Sequence, residues 1–171
     1  KSSKRGQCIF LAEARKTRAP SQQPVTGSLV DYESTKIKRT TLSTTVAELY
    51  SFMKCFGTCQ FLRGTWCDIA SAVSPIHMRT DANNLVATAG TTHLPEQKET
   101  IHMIQMLRKE ACSGAIEDLA HVPSQFCLSD PLTKATVSDD QLIKVVHTGK
   151  LSLVDANPLF RSLLQHKAFE S

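Results

Sequence analysis

Ser43-Thr44-Thr45-Val46-Ala47-Glu48-Leu49-Tyr50 opens the longest helical pattern in the chain. Ser43 and Thr44 are residue types that cap a helix, because a side-chain oxygen can accept from the unbonded amides of the first turn. Val46, Leu49, Tyr50, Met53, Phe56, Cys59, Gln60 and Leu62 then recur mostly at three- and four-residue steps, which gathers them on one face. The spacing predicts a helix from about Ser43 to about Gly64, weakened at Gly57, with Trp66 to Val73 as a continuation before Pro75. Glu48 is the one carboxylate near its start. A carboxylate on an apolar helix costs free energy unless it is solvated, paired or bound to a metal, so its meaning depends on which other acids converge on it.

Upstream of the helix, Gly6 to Glu13 is a short apolar run that reads as a strand, and Arg15 to Pro24 is a polar, proline-containing loop. Val25 to Tyr32 is rich in β-formers and reads as a second strand, antiparallel to the first. Glu33 to Arg39 is polar and basic and is expected to turn the chain toward the helix. It holds Lys36, Lys38 and Arg39, candidates for phosphate contacts.

Downstream, Ile76-His77-Met78-Arg79-Thr80-Asp81 reads as a short buried strand with Asp81 at or just past its end. Ala82 to Thr88 follows as a small-residue helix closed by Gly90. Pro95 opens a further helix, Glu96 to about Cys112, with Arg108-Lys109 near its C-terminus. Ala115 to Val122 reads as a strand, Ile116 and Leu119 inward, Glu117 and His121 outward, and Pro123 stops it. Ser124 to Lys134 is expected to be a short helix bearing Asp130 early. The tail holds an amphipathic segment, Asp139 to His147, then Gly149, a Leu-rich strand-like piece and Leu159 to Leu164. This order predicts a mixed α/β sheet with helices packed on its faces. The domain is expected to span residues 1–136, with 137–171 as a helical C-terminal extension.

The 171 residues suffice for one ordinary domain, and 41% apolar with 21% charged residues is globular composition. No apolar run approaches the roughly 20 residues that cross a bilayer. The net charge of +4 is uneven: residues 1–40 carry nine Lys or Arg against three acids. Such asymmetry suits a polyanion, nucleic acid above all, or else a solvated basic surface. Six cysteines lack the dense pairing of a secreted scaffold, and Cys55 and Cys59, one turn apart, have no second pair at zinc spacing. Reduced thiols in an intracellular, reducing compartment are expected. The initial Lys1 suggests a fragment, a processed product or the ordered part of something longer.

Together these residues resemble the RNase H domain at the end of copia-type retroelement polyproteins, over about Lys1 to Gly149. The resemblance rests on Thr44-Thr45-Val46-Ala47-Glu48 opening a helix after a basic run, on Asp81 after a strand, and on a helix ending Met106-Leu107-Arg108. It closes with Val122-Pro123-Ser124-Gln125-Phe126-Cys127-Leu128-Ser129-Asp130-Pro131-Leu132-Thr133-Lys134. It implies an RNase H-like fold and hydrolysis of the RNA strand of an RNA–DNA hybrid by two Mg²⁺ ions, which take hard oxygen ligands. Glu48, Asp81 and Asp130 are then the catalytic metal ligands, and the basic N-terminal third follows the phosphates.

The resemblance departs at its start. The family's first Asp lies on a strand before the Ser-rich segment, whereas here no Asp precedes Asp31. Three of four ligands are thus in hand, and one strand of the sheet lacks a counterpart. Taken singly, Glu48 reads as an ordinary helix carboxylate, Asp81 as a helix cap and Asp130 as an acid favoured by a helix N-terminus. Jointly, in this order, they point to an inherited acid cluster. Two expectations follow, an RNase H enzyme, or a domesticated, non-catalytic RNase H-like fold serving a larger protein assembly that docks on the sheet edge.

Overall fold

In the computed structural model, which describes residues 4–13, 24–36, 44–91 and 98–152, the chain is a mixed α/β protein with antiparallel and parallel strand pairing. The chain divides into two compact units, one from residues 1–40 and 123–155, the other from 41–122 and 156–171.

The first unit is built on β1 (Lys4–Ala12) and β2 (Val25–Lys36), antiparallel as expected, in register from Lys4↔Lys36 to Ala12↔Gly27 with a bulge at Ile9/Phe10. Glu33 to Lys36 do not turn away as the sequence suggested. They stay in the strand because β1 starts early enough to pair with them, and Arg5 Nη2 binds Glu33 Oε1 at 2.5 Å. Two 3-10 turns, Ser124–Phe126 and Asp130–Leu132, replace the single helix expected over Ser124 to Lys134. Cys127 between them is extended, and Pro131 has no amide with which to continue a helical ladder. The second turn lies against β1 at Gly6, where a Cβ would stand 2.7 Å from the Ser129 carbonyl oxygen and 2.8 Å from Thr133 Cγ2. Only glycine allows that approach.

Ser34 Oγ donates to the Leu132 carbonyl, and Cys8 Sγ lies 3.8 Å from the Leu128 carbonyl, so residues 128–133 are tied to one face of the hairpin. The amphipathic segment forms α4 (Asp140–Thr148) and stops at Gly149, whose φ of +65° is cheap only for glycine. The strand-like piece then becomes β5 (Lys150–Leu151), which pairs with Val25–Thr26 and completes the order β1-β2-β5. Leu159 to Leu164 lies outside the described residues.

The second unit comprises α1 (Thr44–Ala70), β3 (Ile76–Thr80), α2 (Asn83–Ala89), α3 (Lys98–Cys112) and β4 (Ile116–His121). β3 and β4 are parallel, which requires a crossover, and α2 and α3 supply it. α1 runs on through Gly57 and Gly64 to Ala70, taking in most of the continuation expected over Trp66 to Val73. A Cβ added at either glycine would meet nothing within 4 Å, so each costs only its weak propensity, about 1 kcal/mol. Val46, Ala47, Leu49, Phe52 and Phe56 are buried, and the last three join Ile76, Met78, Leu85, Val86, Ile104, Leu107, Ile116 and Leu119 in one core. The buried stripe is thus narrower than the sequence pattern: Tyr50, Met53, Cys59, Gln60 and Leu62 are only half-buried, and Phe52 takes a place inside. On β4, Ile116 and Leu119 point into the core as expected, but Asp118 and Ala120 are buried too, so the strand is covered on both faces. No helix among the described residues is long and apolar enough to cross a membrane.

Candidate functional site

Glu48 lies in the second turn of α1. Its neighbours Val46, Ala47 and Leu49 are buried, and that rotation leaves Glu48 exposed. Asp81 directly follows β3. There Thr80 Oγ1 accepts the Ala82 amide and the Asp81 carbonyl accepts the Asn83 amide, both at 3.1 Å, turning the chain into α2. The N-cap position of that helix is held by Ala82, one residue after Asp81. Both acids adjoin core residues, Leu49 beside Glu48 and Ala82 beside Asp81, in the same buried cluster.

Asp130 belongs to the other unit. It opens the second 3-10 turn, is 7% exposed, and its Oδ2 accepts from Lys134 Nζ at 2.6 Å. Its carbonyl accepts the Thr133 and Lys134 amides, and its own amide donates to the Cys127 carbonyl, so the backbone around it is well tied. Glu48 and Asp81 fall in the second unit, Asp130 in the first.

Lys36, the first of the basic run, ends β2 and is exposed. Its register partner is Lys4, so two ammonium groups share one face at the end of the hairpin. Like charges directly opposite in a ladder are destabilising. Lys36 stands two residues beyond Ser34, and Lys134 two beyond Leu132, the partners of one hydrogen bond. The three lysines and the Asp130 turn thus share one end of this unit. Lys38 and Arg39 lie outside the described residues.

A second charged group was not anticipated from the sequence. Arg79 Nη2 on β3 binds Asp118 Oδ2 on β4 at 2.6 Å, and His77 Nδ1 stands 3.9 Å from the same oxygen, with His77 Nε2 4.0 Å from Glu117 Oε2. A bulge between Ile76 and His77 sets Asp118, not Glu117, opposite His77. Burial pushes the Asp118 carboxyl up, but His77 and Arg79 pull it down, and the balance holds it below the usual carboxylate range. At 3.9 Å His77 is beyond direct hydrogen-bond distance, so we assign most of that pull to Arg79. The alternation His77-x-Arg79 was the available signal, since it puts two basic groups on one strand face. Their partner lies about 40 residues away and could not be read locally.

In comparisons with protein-family models, curated proteins and solved structures, nothing matches this chain.

Proposed function

We propose that the chain is an RNase H-like domain of retroelement descent that engages an RNA–DNA hybrid and hydrolyses its RNA strand. The observation that carries the reading is the succession of elements. An antiparallel hairpin leads to a helix with an exposed Glu48 near its start, then to a strand that Asp81 directly follows, a helical crossover, a parallel strand, and a turn that opens with Asp130. That succession matches, in order and residue type, the resemblance read from the sequence.

In this reading Glu48, Asp81 and Asp130 hold divalent magnesium. Their chemistry fits, because all three are carboxylates and Mg²⁺ takes hard oxygen ligands. Bound magnesium would supply charge neutralisation at the scissile phosphate and activation of water. Glu48 is exposed and Asp81 half-buried, so both carboxylates are open to solvent. Lys4 and Lys36, held in register by the hairpin, would take backbone phosphates, giving affinity that falls steeply with salt. Lys134 fixes the Asp130 carboxylate in one orientation.

One observation favours a second reading, a domesticated fold that binds nucleic acid or a protein assembly without cleaving. Lys134 Nζ at 2.6 Å already neutralises Asp130. Cleavage of an RNA–DNA hybrid with Mg²⁺ separates the two: the enzyme reading requires turnover that Glu48→Gln and Asp81→Asn abolish. Hybrid binding without turnover supports the second reading, and neither binding nor turnover sinks both.

A further inference from the structure

The C-terminal half of α1 leaves its outer surface open. Phe61 is 73% exposed, and Lys54, Gly57, Gly64, Thr65 and Asp68 are exposed with it. At 3.6 residues per turn these positions form one stripe centred on Phe61. The stripe has an internal symmetry that sequence order alone hides. Counting outward from Phe61, Thr58 and Gly64 lie three residues away on either side. Gly57 and Thr65 lie four away, and Lys54 and Asp68 seven away.

That arrangement is self-complementary in one orientation only. If a second α1 crosses the first antiparallel about a two-fold axis at Phe61, each residue faces the one equally far on the other side. Lys54 then meets Asp68 of the second copy, and Asp68 meets its Lys54. Each glycine meets a threonine. A parallel pairing would instead set Lys54 against Lys54 and Asp68 against Asp68. Neither Lys54 nor Asp68 makes an ion pair within the described residues, so both charges are available to a partner.

The surface relief fits the same orientation. Lys54, Gly57, Thr58 and Phe61 stand at i, i+3, i+4 and i+7, the four corners of a hole that accepts a side chain from a facing helix. With Met53 they line a hollow of about 330 Å³ over Gly57. Symmetry repeats the corners as Phe61, Gly64, Thr65 and Asp68. Because a Cβ at Gly57 or Gly64 would meet nothing within 4 Å, both glycines are dispensable for the fold, yet they let another backbone come close.

We propose that this face of α1 binds a second copy of the chain, forming an isologous antiparallel helix pair with the two Phe61 rings on its axis. A C2 interface has this property, that one patch serves both partners. A contact over about four helical turns is at the small end of specific interfaces, so the dimer is expected to dissociate on the order of 10–100 μM.

The test is sedimentation equilibrium of the full chain with two charge-reversal variants, Lys54→Glu and Asp68→Lys. Both positions are exposed, so unchanged circular dichroism and melting are expected. Each variant alone should weaken self-association by about tenfold or more, since symmetry counts every reversal twice. Mixed together, the two should recover association as a heterodimer, because each new charge then faces its opposite. Phe61→Glu should abolish association. The proposal is overturned if the parent chain stays monomeric up to about 1 mM. It is equally overturned if the single variants associate as the parent does, or if their mixture forms no heterodimer.

Discussion

Arg108 Nη2 donates to the Thr88 carbonyl at 2.8 Å, so the last turn of α2 ends against a guanidinium that is only 4% exposed. A cation at a helix C-terminus offsets the partial negative charge of the last carbonyls, and Arg108 supplies it from α3. Burial lowers its pKa from the ordinary arginine value, which states in another form that the charge is held at a cost. Thr91 also reaches the Thr88 oxygen, through its hydroxyl at 3.2 Å. Arg108→Ala is therefore expected to cost about 2–4 kcal/mol, through the cavity and the lost hydrogen bond. Arg108→Met should cost less than half as much, because it refills the space and removes the buried charge while Thr91 still satisfies the carbonyl. Urea denaturation of the two variants checks the ordering.

The Asp118 carboxyl is held below its ordinary range in the folded chain, so the unfolded chain takes up a proton at higher pH than the folded one. This stability is fully present above the unfolded value of about 3.9 and is lost as pH falls through the folded value. Melting curves below about pH 5 should therefore show a steeper acid decline in the parent than in Asp118→Asn. Arg79→Met strands Asp118 in a buried position, where its Oδ1 already has no partner, and should cost about 3 kcal/mol near neutral pH.

Gly6 admits the turn at Asp130 only because it has no Cβ. Gly6→Val is expected to lift residues 129–133 off β1, costing about 2–3 kcal/mol. The same change can be seen chemically at Cys8. Burial, then the neighbouring Cys127 and Asp31, push its thiol up to about 11, so it is nearly inert to alkylation at pH 8. In Gly6→Val the thiol should alkylate several-fold faster. An unchanged Cys8 rate would show that the turn has not moved.

The Lys4↔Lys36 pair predicts opposite effects on fold and binding. Lys36→Glu replaces a repulsive cross-strand pair with an attractive one and should stabilise the chain by about 0.5 kcal/mol. It should weaken hybrid binding and lower the salt slope by about one. A variant that gained stability and kept its affinity would remove Lys36 from the interface.

The sequence made the element order legible because each boundary carries its own local chemistry. Gly90, Gly114 and Gly149 close helices, Pro75 and Pro123 bound strands, and the hydrophobic period changes between them. What was not legible depends on partners far along the chain. β2 continues to Lys36 because Lys4 is there to pair with it, and Phe52 is buried because core residues from later elements surround it. The bulge that aligns Asp118 with His77 exists only in the paired strands. Of the candidate site, the exposure of Glu48 and the place of Ala82 rather than Asp81 at the N-cap of α2 sharpen what residue type had suggested. The Lys134 contact to Asp130 has the i,i+4 spacing, a signal that the sequence does carry.

The first unit draws on both ends of the described chain, while the second lies between them. During synthesis the hairpin leaves the ribosome long before residues 123–151, which supply the turn over Gly6 and the third strand. At roughly 5–20 residues per second, the hairpin waits several seconds for its cover. The elements that hold the buried cluster, α1 to β4, are meanwhile complete by His121 and can pack before the hairpin has its cover. The buried cluster between Leu49 and Leu119 can therefore form before the first unit has all its strands. A ribosome stalled once β4 has emerged would display a hairpin without its third strand while β3 and β4 can already pair, and that interval is when an aggregation-preventing chaperone would matter most to this protein.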